Sequence, residues 1–225
     1  MAAAARAGLV GAAAGPAGRR TRRGGDRPLI QGGLAAGKKS ARRRRAWIVF
    51  QDESGVSLTP VVRATWAPKG QTPVLRYKFN WKRMSMSAAL CYRPDRSAAQ
   101  LVFATQPGAY TTEILIDFLG QLQAHFGEDA KPTLHWDGLS SHRSRDMTAF
   151  IASCRGWLRV ERLPAYAPEL NPVEGLWGNV TGTELANRCP DTIDEAMQAA
   201  CDGLDRVASD TELCSALLRH TGLSL

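Results

Sequence analysis

Three acidic residues far apart in the chain stand where carboxylates can do chemistry together: Asp52, Asp137 and Glu174. Asp52 follows the apolar run Trp47-Ile48-Val49-Phe50, and Asp137 follows Leu134-His135-Trp136. Both runs read as short strands that end in an aspartate. Parallel and adjacent, they would bring the two carboxylates out side by side at the carboxyl edge of a sheet, where α/β proteins place ligands. Glu174 sits in the stretch LPAYAPELNPVEGLW, residues 163–177. Pro164 and Pro168 keep that stretch extended. Asn171 then suits a helix cap, Pro172 the first helical position and Glu174 the third. Glu174 therefore has two readings. It is a capping-box carboxylate reaching back to the Asn171 N–H, or it is the third member of a carboxylate cluster. Three crowded carboxylates repel one another unless a cation neutralises them. A ligand set made only of oxygen suits a hard ion, Mg²⁺ or Mn²⁺.

Neighbouring residues bound this set. Glu53 adjoins Asp52, but adjacent side chains on a strand point to opposite faces, so it is kept out of the metal set. Zinc ligation is not expected of four histidines (His125, His135, His142 and His220) and no paired cysteines. Five cysteines without a C-x-x-C pair read as reduced, structural thiols of a cytosolic protein.

The elements that must hold the acids follow from charge and periodicity. The formal net charge of +8 is unevenly spread. Residues 1–45 hold twelve of the 29 Lys and Arg and one of the 21 acids, a net of +11, which leaves a net of −3 on the rest. That Ala/Gly/Arg-rich segment has almost no large apolar residues and reads as a disordered basic arm, not a targeting peptide. Arg42–Arg45 are either a contact for nucleic acid or a solvated tail. No apolar run approaches the roughly 18 residues that span a membrane.

Order is expected from Trp47 onward. Residues 61–66 and 73–77 suggest the arms of a hairpin joined through Pro68-Lys69-Gly70. Next, Arg76, Lys78, Lys82 and Arg83 interleave with Tyr77, Phe79 and Trp81. Such a pattern reads as a nucleic-acid contact or as a strand edge guarded by cations. Residues 84–90 and 100–105 fit two further strands. Residues 111–126 are the clearest helix, with Ile114, Leu115, Phe118, Leu119, Leu122 and Phe126 on one face and Gly127 as the stop. A strand at 132–136, a helix over the residues after Ser141 to about Cys154 and a strand at 157–162 precede the helix of Glu174. Thr192-x-x-Glu195 and Ser209-x-x-Glu212 are capping boxes that open two C-terminal helices. The order predicts an α/β fold: a mixed sheet, its first strands antiparallel and its later ones joined by crossover helices.

Three blocks resemble the DDE superfamily of transposases, specifically the bacterial insertion-sequence branch of the Tc/mariner group. They are WIVFQDESG at 47–55, HWDGLSSH at 135–142 and LPAYAPELNPVEGLW at 163–177. WAPKGQTPV at 66–74 is also similar to that family, and 36 residues separate Asp137 from Glu174. The resemblance spans roughly residues 46–190. It implies an RNase H-like catalytic domain over 46–190, with helices at 191–225 packing on it and the arm at 1–45 outside it. It also implies that Asp52, Asp137 and Glu174 ligate the metal in an enzyme that excises a mobile DNA element and joins its ends to target DNA, commonly at a TA step. Family members usually carry N-terminal helix-turn-helix modules. Residues 1–45 show no such pattern, which reads as a truncated or frame-disrupted copy, or one half of a split product.

In that scheme two Mg²⁺ or Mn²⁺ ions about 4 Å apart activate the nucleophile and stabilise the leaving oxygen. Asp52 would bridge them, with Asp137 and Glu174 each biased toward one. His142, five residues beyond Asp137, would contact the scissile phosphate or leaving oxygen, or would simply cap or pack. Asn171 reads as a helix cap more than as a DNA contact. The partners implied are the ends of the mobile element and its target DNA, in a bacterial cytoplasm and associated with the nucleoid. Two ends handled together call for a homodimer, which no residue pattern shows. Two other readings stand beside this one. The first is a nuclease of the same fold acting on RNA–DNA hybrids or junctions. The second is a catalytically incompetent remnant that binds DNA or inhibits a full-length partner.

Overall fold

A computed structural model describes residues 46–127, 129–164 and 167–223. The basic arm at 1–45 lies outside the described residues. The chain runs β1 (Ile48–Ser57), β2 (Arg83–Tyr92), β3 (Ala99–Pro107), α1 (Thr112–Phe126), β4 (Thr133–Trp136), α2 (Arg145–Ser153), β5 (Arg159–Arg162), α3 (Pro172–Thr183), α4 (Ile193–Ala208) and α5 (Thr211–His220). One sheet of five strands has the order β3-β2-β1-β4-β5. β1, β2 and β3 pair antiparallel, whereas β4 lies parallel to both β1 and β5. The sheet is therefore mixed, with its parallel half built by crossovers through α1 and α2.

β1 is central because its residues are apolar on both sides. Ile48 and Phe50 pack with Ala88 and Leu90 against α3, α4 and α5, through Val173, Leu176, Leu204 and Leu217. Trp47 and Val49 pack on the other face against α1 and α2, through Leu115, Phe118, Leu119 and Met147. A strand covered on both faces reads as a continuous apolar run rather than an alternating one. Helices α4 and α5 share the core of β1 and α3.

Caps set the helix starts. Thr111 Oγ1 accepts from the Ile114 N–H at 3.5 Å, and Ser144 Oγ accepts from the Met147 N–H at 3.1 Å. The helix expected after Ser141 accordingly begins at Arg145, behind a 3₁₀ turn over Ser141–Arg143. Thr192 caps α4. Glu195 Oε2 accepts from the Asp191 N–H at 3.0 Å, one residue before the cap, and not from the Thr192 N–H that a capping box uses. At α5 the cap is Asp210, whose Oδ1 accepts from the Leu213 N–H at 2.9 Å. Ser209, the expected cap, instead donates its hydroxyl to the Arg206 carbonyl at 2.8 Å and belongs to the end of α4.

Two further expectations are corrected. Strand β1 does not end at Asp52 but continues to Ser57, because β2 pairs with it all the way, Ser57 opposite Arg83. The hairpin expected over 61–77 does not form. Its turn exists, with the Gln71 N–H donating to the Pro68 carbonyl at 3.0 Å and Gly70 at φ 82°. Its arms do not pair, since Pro60, Pro68 and Pro73 lack donors and Val62, Val74 and Trp66 face solvent with no apolar surface to cover them. The segment is instead tied at one end, Val61 bridging to Ala186 and the Arg63 N–H donating to Asn187 Oδ1 at 2.8 Å. Among the described residues no helix is long and apolar enough to cross a membrane.

Candidate active site

The parallel pairing of β1 with β4 ends at Phe50 opposite His135. Two residues further along each chain stand Asp52 and Asp137, at the carboxyl edge of the parallel half of the sheet. The third acid arrives with α3. Asn171 Oδ1 accepts from the Val173 N–H at 3.2 Å, Pro172 opens the helix and Glu174 falls in its first turn. The Asn171 N–H itself donates to the Pro168 carbonyl at 2.9 Å. Glu174 is therefore not tied back as a capping-box partner. Its side chain is exposed, and with Asp52 and Asp137 it lines one open cavity of about 640 Å³.

The electrostatics of this cavity are those of crowded acids. Burial, then the charge of Glu174, pushes the Asp52 carboxyl up to about 7, against the lowering effect of the Trp177 indole N–H, which donates to Asp52 Oδ2 at 3.1 Å. Among the described residues, no three His, Cys, Asp or Glu side chains are gathered closely enough to hold an ion as they stand. The donor set is nonetheless all carboxylate, as a hard divalent cation requires.

Glu53 turns away from the cavity. Its Oε1 accepts from Gln51 Nε2 at 2.7 Å and from His142 Nε2 at 3.1 Å. His142 has a side chain with no exposed surface, and its Nδ1 lies 2.8 Å from Asp137 Oδ1. Its ring stacks flat on Trp136, centroids 4.1 Å apart with 4° between the planes. Burial disfavours the charged ring, but the hydrogen bond and charge of Glu53, followed by the charge of Asp137, outweigh it and hold the His142 pKa above its ordinary value. With both nitrogens spent on carboxylates, the ring has no atom left for a phosphate. Burial of His135 has the opposite result, pulling its imidazole down to about 4, so it stays neutral, stacked on Phe50.

Arg76, Lys78, Lys82 and Arg83 are exposed and lie outside the cavity lining, on the connection between β1 and β2 and the start of β2. Lys78 pairs with Asp191 at 2.8 Å. Phe79 and Trp81 beside them are exposed and meet edge to face, centroids 4.8 Å apart. No sequence motif assigns Arg143 or Trp177 a role in this site. Arg143 is exposed on the cavity wall, and its signal was only its nearness to Asp137. Trp177 lies three residues beyond Glu174, on the same helical face.

Residues 47–196 match the family described as DDE superfamily endonuclease. No curated protein matches the chain. The crystal structure of the mariner Mos1 paired end complex with Mg is similar at 17% identity and a TM-score of 0.60, over 96% of this chain and 65% of that one. The Mos1 mariner paired end complex with Mn is similar at 17% identity and 0.58, over 86% and 59%. The Mos1 strand transfer complex is similar at 16% identity and 0.58, over 86% and 56%. The chain thus spans about three fifths of the length of the solved chains it matches. At this identity the likeness shows the fold, an RNase H-like mixed sheet flanked by helices, as in a transposase catalytic domain.

Proposed function

The chain belongs to the DDE superfamily of endonucleases, and we propose that it is a transposase catalytic domain whose Asp52, Asp137 and Glu174 hold divalent cations for DNA strand cleavage and strand transfer. One observation carries this reading: acids from β1, from the end of β4 and from the first turn of α3 line a single open cavity. The Asp52 carboxyl is raised first by burial and then by the charge of Glu174, and a cation bound between these acids would relieve both penalties. Two Mg²⁺ or Mn²⁺ ions would supply an activated water or 3′-hydroxyl and a stabilised leaving oxygen.

The protein's own residues orient and attract. Trp177 holds one Asp52 oxygen, leaving the other for a ligand. Asp137 Oδ1 accepts from the Leu139 N–H at 3.0 Å as well as facing His142, which leaves its second oxygen for the cavity. Arg143, on the cavity wall, offers a guanidinium to a backbone phosphate. The exposed Arg76, Lys82 and Arg83 with Phe79 and Trp81 suit a DNA strand beyond the cut.

The finer reading follows the wording of residues 163–177: the bacterial insertion-sequence branch of the Tc/mariner group, acting in the cytoplasm on element ends and target DNA. Two copies would work together, one for each end. The test is supercoiled plasmid incubated with Mg²⁺ or Mn²⁺. Nicked circles from the wild type and none from the Asp52→Ala/Asp137→Ala/Glu174→Ala variant are expected. Equal nicking by both refutes the assignment. DNA binding without nicking favours the other reading, a chain that binds DNA or inhibits a full-length partner.

A further inference from the structure

The sheet leaves one problem unsolved by its own hydrogen bonds. The β1–β4 ladder stops at Phe50 and His135. Beyond it, β1 stays paired only with β2, Asp52 opposite Ala88 and Glu53 opposite Ser87. After Trp136 the chain leaves the sheet through Gly138 and Leu139. No backbone ladder therefore fixes Asp137 relative to Asp52, although their spacing is what a shared ligand reads.

Side chains span this gap. His142 reaches back from the 3₁₀ turn to put Nδ1 2.8 Å from Asp137 Oδ1 and Nε2 3.1 Å from Glu53 Oε1. Glu53 is anchored in turn by Gln51 Nε2 at 2.7 Å, and Gln51 Nε2 also donates to Ser87 Oγ on β2 at 2.9 Å. Trp136 fixes the ring plane from below. The Glu53 side chain is 13% exposed and that of His142 0%, so the bond between them is shielded from water, while Asp137 at the outer end of the strap is 44% exposed to the cavity.

We propose that His142 and Glu53 are positioning residues, a buried strap across the diverging ends of β1 and β4 that sets where the Asp137 carboxylate stands relative to Asp52. The inference deepens the metal-site reading and rests on it for its effect on ion binding. The strap itself is a feature of the metal-free protein. Outer partners that orient a ligand typically cost 10–100-fold in metal affinity when removed, which sets the scale expected here.

Two measurements test it separately. Mn²⁺ is titrated calorimetrically into the wild type, His142→Ala, Glu53→Ala, the double variant and Glu53→Gln, with thermal unfolding checking that each is folded. Glu53→Ala leaves the His142 ring and its stacking partner Trp136 in place, so the strap can be judged even where His142→Ala destabilises the core. Each alanine variant should bind Mn²⁺ about tenfold or more weakly, the double variant no more than about threefold worse than either, and Glu53→Gln within about threefold of the wild type, since its amide oxygen still accepts from His142. Wild-type affinity in His142→Ala, multiplying losses in the double variant, or Glu53→Gln as weak as Glu53→Ala would each overturn the strap. Without metal, amide exchange at Leu139, which donates to Asp137 Oδ1, should be faster in both alanine variants. If the wild type binds no Mn²⁺ but Leu139 exchange rises as stated, the metal reading fails and the strap stands. Unchanged exchange removes the strap whatever the metal does.

Discussion

The Trp177 indole N–H donates to Asp52 Oδ2 at 3.1 Å, so the helix carrying Glu174 is pinned to the strand carrying Asp52 by a side chain one turn further on. Val173, Leu176 and Val180 bury the inner face of that helix in the core, beside Trp177 itself. Packing sets the distance of α3 from the sheet, and the indole sets its rotation. Two acids distant in sequence are thereby held at one cavity by a bond that neither of them makes with the other.

Trp177→Phe keeps the ring and removes that donor. A hydrogen bond to a charged group contributes about 1.5–3 kcal/mol, and this one lowers the Asp52 pKa. The variant should therefore protonate Asp52 more readily. The acid limb of divalent-cation-dependent nicking is expected to move to higher pH, measured as a rate profile from pH 5 to 9. A limb that stays in place contradicts the role given to Trp177.

Asp52 also links folding to pH. Its folded carboxyl, pushed up to about 7 chiefly by burial and then by Glu174, holds a proton that the unfolded chain releases near 3.8. Between those values the folded state binds more protons, so stability falls as pH rises and levels off above 7. At about 1.4 kcal/mol per unit the full effect is on the order of 4–5 kcal/mol. Asp52→Asn should be more stable than the wild type at pH 8 by such an amount and show little gain at pH 4, by urea unfolding without divalent ions. An equal difference at both pH values contradicts the shift.

Arg143→Ala tests the wall of the cavity. The loss of one phosphate contact weakens binding uniformly across sequences and lowers the salt slope of log K by roughly 1. Affinity for duplex DNA, measured from 50 to 200 mM salt, is the check. An unchanged slope removes Arg143 from the DNA path.

Much of this arrangement is legible in the sequence, because it rests on local signals. The apolar run before Asp52, the cap and proline before Glu174 and the periodic face of α1 each follow from neighbours a few residues apart. What was not legible depends on contacts across the chain. Glu53 meets His142 over 89 residues, and Trp177 meets Asp52 over 125. The alternation rule alone sent Glu53 away from the acids, and it is the bond to His142 that says what Glu53 does there. The hairpin at 61–77 failed for a related reason. Its turn chemistry was sound, but pairing needs a covered face, and Trp66 stands fully exposed.

The C-terminal helices carry a prediction of their own. Leu204 in α4 is fully buried in the same core as Ile48 and Phe50. Leu204→Ala should cost about 2–5 kcal/mol, with a single cooperative unfolding transition by circular dichroism. A separate early transition with the sheet still folded would show that α4 and α5 are a dispensable appendage.

The most direct test asks the three acids for a cation without asking for the whole DNA reaction. Mn²⁺ is titrated calorimetrically into the wild type and into Asp52→Asn, Asp137→Asn and Glu174→Gln, each checked for fold. The account predicts binding to the wild type and its loss or severe weakening in all three variants. Binding that survives unchanged in any of them, or a folded wild type that takes up no Mn²⁺, contradicts it.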